Sequence, residues 1–420
     1  MATHLRLAVL GCAAAFVLLV APVASATTSE SGPSLRGPVT VGYSNEAALE
    51  AAVSRAGGRV LRRLPHIRVA EVAGSGRLAA LLAGSPGVSF LERAATRTRA
   101  AEPGLAQANT LGAFEWQYAA THADTVPESV LRAASAITIA VIDTGADLAA
   151  PDLAAKAPFA FDIRTRAGDV ADIVGHGTFV ASLAAGSSTN DEGIAGFGGD
   201  SSLLVVRATN GRRALTDVDE AAAILYAVDQ GARVINLSFG GPSTSTTERR
   251  AIDYAARRGV LLIAAIGNDH RRGNPVHYPA ALLQPVRSRG HGGRGLSIGA
   301  STQEGTRAAF SNTGTHLSLV APGEAVLGAV SGLSSARDYP RVALPGSREG
   351  LYAFGSGTSY ATPQVAGAAA LVWAANPALS ATDVADYLKG TASGHGRWNP
   401  RIGYGVLDVG AAVALALASR

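Results

Sequence analysis

The apolar positions of this chain fall into three successive regimes. Leu7 to Val23 are almost wholly apolar, follow a short segment bearing one arginine, Arg6, and end at Ala24-Ser25-Ala26. A basic start, a short apolar core and a small-residue end are the parts of a secretory signal peptide, here residues 1–26, removed before Thr27. A retained membrane anchor is the competing reading; Gly11 and Pro22 interrupt the run, which is only just long enough to cross a bilayer. In the second regime, residues 27–104, the elements are short. Pro38 to Tyr43 reads as a strand, Glu46 to Ala56 as a helix, Arg59 to Leu64 and His66 to Val72 as strands, Gly76 to Ala83 as a helix, and Val88 to Glu92 as a strand. That βαββαβ order predicts a small ferredoxin-like α+β domain. A polar, arginine-rich segment follows, Ala94 to Gln107.

In the third regime, residues 105–420, apolar runs alternate with helical stretches. Strands are expected at Ile137 to Asp143, Ser202 to Arg207, Val234 to Ser238, Val260 to Ala265 and Leu296 to Ala300. Helices are expected from His176, over Asp217 to Gln230, over Glu248 to Arg258, and over the small-residue run Gln364 to Trp373. The alternation predicts an α/β domain of three layers, a mostly parallel sheet with helices on both faces. Sites on such sheets gather at the carboxyl ends of strands, where Asp143, Ser238 and Asn268 fall.

Composition narrows the classes. A net charge of +4 comes from arginines spread along the chain, with Lys156 and Lys389 the only lysines, which argues against nucleic-acid binding. The sole cysteine, Cys12, and the sole methionine, Met1, both lie within the first 26 residues. What remains has no disulfide to form, and at this length with 47% hydrophobic residues it can rely on its own core. A secreted monomer without a stable membrane anchor is the expectation.

The candidate chemistry centres on Gly355-Ser356-Gly357-Thr358-Ser359-Tyr360-Ala361-Thr362-Pro363, a tight turn leading into the small-residue helix. A serine at a helix start has unused backbone N–H groups and the positive helix end beside it, which suits a nucleophile whose reaction develops an oxyanion. It equally suits an ordinary helix cap. A nucleophilic role demands a base and a group to orient the base. Gly175-His176-Gly177-Thr178 sets a histidine at a second helix start, and Asp143 ends a buried β-branched run.

Together, in the chain order Asp143, His176, Ser359, these stretches resemble the catalytic motifs of the subtilisin-like serine proteases, peptidase family S8. The resemblance implies that His176 acts as general base and then acid, that Asp143 holds its tautomer, and that Ser359 forms an acyl-enzyme. Ala264-Ala265-Ile266-Gly267-Asn268 resembles the family stretch whose asparagine joins the nucleophile's N–H in the oxyanion hole. Ser238-Phe239-Gly240 resembles the edge that pairs with the substrate backbone, which implies polypeptide substrates; Ala265 and Gly267 would line the same cleft. Residues 27–104 resemble the family's inhibitory propeptide, a folding aid that blocks the cleft with its own tail and makes the protein a zymogen. Phe114-Glu115-Trp116-Gln117 and Gly403-Tyr404-Gly405-Val406-Leu407-Asp408 resemble segments near the mature start and the end of the family's catalytic domain.

Three positions depart from the family pattern. Tyr360 stands where a methionine is usual, Gln364 where a histidine is common, and His277 at the floor of the pocket for the side chain preceding the cut bond. A histidine there would shorten the pocket and offer a donor, shifting preference to small or acidic side chains, with Arg271 and Arg272 nearby; a ring turned to solvent would do neither. The chemistry requires no cofactor. A structural calcium is the one ion implied, at Asp152 with oxygens such as that of Asn190 from the polar loop Ser187 to Glu192; otherwise these are turn and cap residues. The Gly/Arg-rich stretch Arg287 to Arg294 reads as an inserted mobile surface loop.

Two other classes remain for comparison. A catalytically silent relative could bind peptides in the same cleft, but it would not need all four catalytic residue types. A nucleotide-binding α/β domain would need a glycine-rich phosphate loop after its first strand, where Asp143-Thr144-Gly145-Ala146-Asp147 would repel a phosphate.

Overall fold

A computed structural model describes residues 37–74, 77–99, 115–187, 193–211, 214–343 and 350–420. The expected signal peptide, most of the segment 94–107, Phe114 and Asn190 lie outside the described residues.

The N-terminal unit is a four-stranded antiparallel sheet in the order Arg59–Leu64, Val69–Ala73, Val39–Tyr43, Val88–Arg93. Its two helices, Glu46–Arg55 and Leu78–Leu82, contribute Leu49, Val53, Leu78 and Leu82 to a small core with Val39, Val41 and Val72. This is the expected ferredoxin-like arrangement. The third strand starts three residues later than the pattern predicts. Pro65 opens a single 3-10 turn, Pro65–Ile67, and Arg68 leaves it in the left-handed region at φ 52°, so extended backbone begins only at Val69.

The larger unit is built on seven parallel strands in the order Leu319–Pro322, Gly295–Ser301, Leu261–Ala265, Val234–Leu237, Thr138–Asp143, Ser202–Arg207, Phe159–Asp162. Side chains alternate between the faces and both faces are buried, as a parallel sheet requires. Ile139, Val141, Val205 and Ile263 pack with Phe179, Val365 and Leu371 on one side. Ala140, Ile142, Val206 and Ile235 pack with Val218, Ile224 and Ile252 on the other. The first side is covered by the helices His176–Ala185 and Thr358–Ala375, the second by Asp217–Asp229 and Thr246–Arg257. Thr138–Asp143, first in sequence, lies between its neighbours Ser202–Arg207 and Val234–Leu237, so the chain leaves it in opposite directions and a cleft opens at the Asp143 end.

Thr358–Ala375 is buried along its whole length, which explains a composition of small and apolar residues on every side. At Gly367 an added Cβ would stand 2.5 Å from the backbone carbon of Phe197, so the helix sits as close as a bare backbone permits.

The two units are joined by the tail Thr96–Arg99, the central strand of a three-stranded antiparallel sheet between Phe239–Gly240 and Leu215–Thr216. Arg99 pairs with Phe239, Thr98 with Gly240, Arg97 with Leu215 and Thr96 with Thr216. Just before the tail, the Glu92 carboxylate accepts from the N–H groups of Thr246 and Thr247, each at 2.8 Å, and so caps a helix of the larger unit. Arg62 reaches Asp219 at 3.1 Å across the same interface. The stretch expected to be a mobile insertion is tied down instead: the buried Lys389 donates to the Gly290 carbonyl at 3.0 Å, Gln284 to the His291 carbonyl at 2.9 Å, and Arg294 pairs with Asp253.

Candidate active site

At the cleft, His176 Nδ1 lies 2.8 Å from Asp143 Oδ1, with both side chains buried. The same oxygen accepts from the Thr144 N–H at 2.7 Å, so the carboxylate is fixed by its own turn before it meets the imidazole. A carboxylate beside Nδ1 places the proton there and leaves Nε2 with a lone pair. Among the described residues Nε2 has no hydrogen-bond partner.

What holds this pair is Asp172, fully buried, which the sequence reading did not single out. Its Oδ1 accepts from the Thr144 hydroxyl at 2.9 Å and from the Gly175 N–H at 2.8 Å; its Oδ2 accepts from the Thr178 N–H and hydroxyl at 2.8 and 2.7 Å. Thr144 in turn accepts from the Gly177 N–H at 2.9 Å. One carboxylate thus clamps the turn after Asp143 to the start of the His176 helix. Glycine is required on both sides of the clamp: Gly175 has φ 92°, and a Cβ on Gly177 would fall 2.0 Å from the Gly145 carbonyl oxygen.

Ser359 is the second residue of Thr358–Ala375. Pro363 has no N–H to give to the Ser359 carbonyl four residues back, and the Ser238 hydroxyl takes that place at 2.8 Å. The exchange is mutual, because the Ser359 hydroxyl donates to the Ser238 carbonyl at 2.8 Å. Asn236 Nδ2 donates to the Ser238 hydroxyl at 2.9 Å and completes the chain. The nucleophile candidate is therefore pinned to the end of a central strand, with its hydroxyl turned to Ser238 rather than to His176.

Asn268 Oδ1 accepts from both the N–H and the hydroxyl of Thr358, each at 3.0 Å. Two donors on that oxygen fix the orientation of the amide and leave Nδ2, buried and without a partner among the described residues, as a free donor. Thr358 is a second positioning residue that the sequence reading passed over, although it adjoins Ser359.

His277 is buried, not turned to solvent, and precedes the cis Tyr278–Pro279 bond. Its ring lies between Gly240 and Gly267: a Cβ on Gly267 would stand 2.6 Å from His277 Nδ1, and one on Gly240 would stand 3.5 Å from His277 Cβ. Nε2 is 3.3 Å from Asp269, yet burial holds the ring's pKa below the usual histidine value against that charge. Arg271 and Arg272 are exposed, and Arg272 pairs with Asp269 at 3.4 Å. Ala265 ends its strand, buried, three residues before Asn268.

Tyr360 and Gln364 fill their positions by packing and hydrogen bonding. The Tyr360 ring lies 4.2 Å from Phe179 and 5.8 Å from His176, centroid to centroid, and Gln364 donates to the Pro322 and Tyr360 carbonyls at 2.6 and 2.9 Å. Asp152 is buried, its Oδ1 accepting from the Ile194 N–H at 2.6 Å and its Oδ2 from the Tyr352 hydroxyl at 2.9 Å. Nearby Glu115 is pushed up to about 7 by burial and by the Asp152 charge, against a hydrogen bond from the Ala195 N–H. Glu115 is half-buried, and these two carboxylates supply fewer oxygens than the roughly six to eight that a calcium ion takes. Among the described residues, no three His, Cys, Asp or Glu side chains gather in a metal cluster, and no helix is long and apolar enough to cross a membrane.

Comparison with known proteins agrees with this geometry. The fervidolysin N-terminal prodomain family matches residues 21–92. The chain is 38% identical over 245 residues to a thermophilic serine proteinase of Bacillus sp. strain AK1, covering 58% of this chain and 53% of that protein. With subtilisin BL of Lederbergia lenta it is 35% identical over 270 residues, covering 63% and 86% respectively. The chain thus spans about half the length of the first of these relatives and most of the second. In fold it is similar to crystalline fervidolysin of Fervidobacterium pennivorans, a keratinolytic enzyme, with a TM-score of 0.77 at 24% identity over 92% of this chain and 62% of that one. It is also similar to the epidermin leader peptide processing serine protease of Staphylococcus aureus, with a TM-score of 0.71 at 20% identity over 90% of this chain and 98% of that one. The subtilase family, peptidase S8, matches residues 134–405, well over half of the chain, and with the Asp143, His176, Ser359 order on its parallel sheet the protein belongs to that family.

Proposed function

We propose that the protein is a secreted serine endopeptidase of polypeptides, made as a zymogen whose residues 27–104 occupy its own cleft. The observation that carries the reading is that the Asp143–His176 pair, with the His176 ring 5.8 Å from that of Tyr360 beside Ser359, and the free Asn268 amide bonded to Thr358 flank Ser359, whose partner Ser238 adjoins the edge on which an extended strand, Thr96–Arg99, is already paired. The Leu7 to Val23 run supports secretion.

In the proposed reaction the Ser359 hydroxyl swings by a rotation about χ1 from the Ser238 carbonyl to His176 Nε2, which takes its proton as the oxygen attacks the substrate carbonyl. Asp143 stabilises the imidazolium so formed. The developing oxyanion is met by Asn268 Nδ2 and the Ser359 N–H, preset by Thr358 and by the helix start. His176 then protonates the leaving amine, and a water activated by the same nitrogen releases the acyl group. His277 closes the pocket for the residue before the cut and restricts it to small or acidic side chains. Asp152, with oxygens of the polar loop such as that of Asn190, would hold a calcium that braces the larger unit and takes no part in the chemistry.

Labelling the secreted product with a fluorophosphonate, read by intact mass beside a Ser359→Ala control, tests the reading. The expected result is a labelled species of roughly catalytic-unit mass that the control lacks. A folded, full-length chain that takes no label would overturn it and leave a peptide-binding relative.

A further inference from the structure

Arg97, in the middle of the tail, is used by none of the catalytic steps, yet its guanidinium is completely buried. Nε donates to Glu220 Oε2 at 2.9 Å, and Nη2 stands 2.8 Å from Glu248 Oε2. Nη1 donates to the Ser243 carbonyl at 3.2 Å and to the Thr96 carbonyl at 3.3 Å. Both glutamate side chains have no exposed surface, and the buried Asp217 adds a third negative charge close enough to act on Arg97. One oxygen of each carboxylate, Glu220 Oε1, Glu248 Oε1 and Asp217 Oδ2, has no hydrogen-bond donor among the described residues. The acidic walls come from Asp217–Asp229 and Thr246–Arg257 of the larger unit, and only the cation comes from the tail. The acids therefore stay behind if the tail leaves, while their counter-charge goes with it. Three clustered carboxylates repel one another, so a cation placed among them is favoured.

The strand register says which substrate residue would supply it. Along the tail, Thr98 faces Gly240 and Arg99 faces Phe239. A substrate on the same path sets its next residue opposite Ser238, whose carbonyl is 2.8 Å from the Ser359 hydroxyl oxygen. That residue presents the carbonyl to be attacked, so the side chain occupying the place of Arg97 belongs to the fourth residue counted back from the cut bond.

Resting on the endopeptidase reading, we propose that Glu220 and Glu248 form a subsite that selects arginine at the fourth residue before the cut bond, and that Arg97 is a built-in copy of this recognition element. Arginine fits and lysine does not fit equally, because Nε donates to Glu220 and Nη1 to two backbone carbonyls while Nη2 makes a charge contact with Glu248, whereas an ammonium is a single point of charge. A neutral side chain leaves the acids unpaired, the situation in which sites discriminate most strongly.

The test begins with the full chain, expressed and left to process, and assayed by fluorophosphonate labelling and casein hydrolysis. The labelled enzyme is then given a peptide library, and cut sites are aligned from mass spectra. Arginine at the fourth position is expected to raise kcat/KM roughly 100-fold over alanine and about tenfold over lysine. In Glu220→Gln/Glu248→Gln the arginine-to-alanine ratio should fall towards one. Because that variant could fail to fold, the wild-type profile decides by itself: a labelled, active enzyme indifferent to the fourth residue, or preferring an apolar one there, overturns the proposal. Absence of both label and hydrolysis is a separate outcome that overturns the endopeptidase reading, and this inference with it.

Discussion

Asn268 illustrates how one side chain's two ends divide their labour. Its oxygen is held by Thr358 and its nitrogen is free. Asn268→Ala is expected to lower kcat about 10²–10³-fold, the known scale for losing one oxyanion donor in this family, with KM for a peptide ester nearly unchanged. A loss confined to KM would assign the amide to substrate binding instead. His277 makes a second residue-scale prediction: cut sites in a peptide library should show small or acidic side chains just before the bond, and dominance of Phe or Leu would refute it. At this scale the sequence was legible where chemistry is carried by a short motif, as at Asp143, His176, Ser359 and Asn268. It was illegible where a residue acts through space. Asp172 sits in an unremarked polar stretch and gains meaning only when Thr144 and Thr178 converge on it. Asn236 is hidden inside a strand whose side chains read as plain core.

Among elements, the long helix Thr358–Ala375 offers the sharpest test of packing. Gly367→Ala gains about 1 kcal/mol of helix propensity. It also drives a methyl against the Phe197 backbone, which cannot swing aside as a side chain would, at a cost of about 1–3 kcal/mol or more. Net destabilisation, read as a Tm lowered by a few degrees, is expected; an unchanged or raised Tm would mean that the two elements separate freely. The proposed calcium is tested at the same scale: EDTA should lower the Tm of the Ser359→Ala chain, and a Tm indifferent to EDTA removes the ion. The aliphatic central strands were visible in the sequence because burial on both faces leaves runs such as Ile137 to Asp143. Phe159–Asp162, Leu319–Pro322 and the antiparallel pair Val326–Ala329 and Tyr352–Gly355 were not. Each is four residues long, and Phe159–Asp162 lies at the sheet edge with Phe159 exposed, so no periodicity develops.

For the whole molecule, one contribution to acid sensitivity is the buried histidine His316, whose pKa burial, helped by His277, lowers from 6.5 to about 4. The unfolded chain binds this proton first, near pH 6.5, while the folded chain stays neutral to about 4. Stability is therefore full above the unfolded value and is lost as pH falls between the two, by about 3 kcal/mol for this group. Urea unfolding of the Ser359→Ala chain at pH 7 and pH 4.5 should show the loss, and a His316→Gln variant should show less of it. Equal losses in both would place acid sensitivity elsewhere. The division into a ferredoxin-like unit and a parallel α/β unit was legible from element order alone. How the units dock was not, because Glu92 capping a distant helix and Arg97 between two glutamates leave no local trace in composition.

The groove has one further consequence once the tail departs. Phe239–Gly240 and Leu215–Thr216 would then be two facing edges open to an extended backbone, that of another copy included. Under the proposed endopeptidase reading, self-digestion would be a collision between two molecules, so the lifetime of a stored sample would shorten as its concentration rises, and dilution would preserve it.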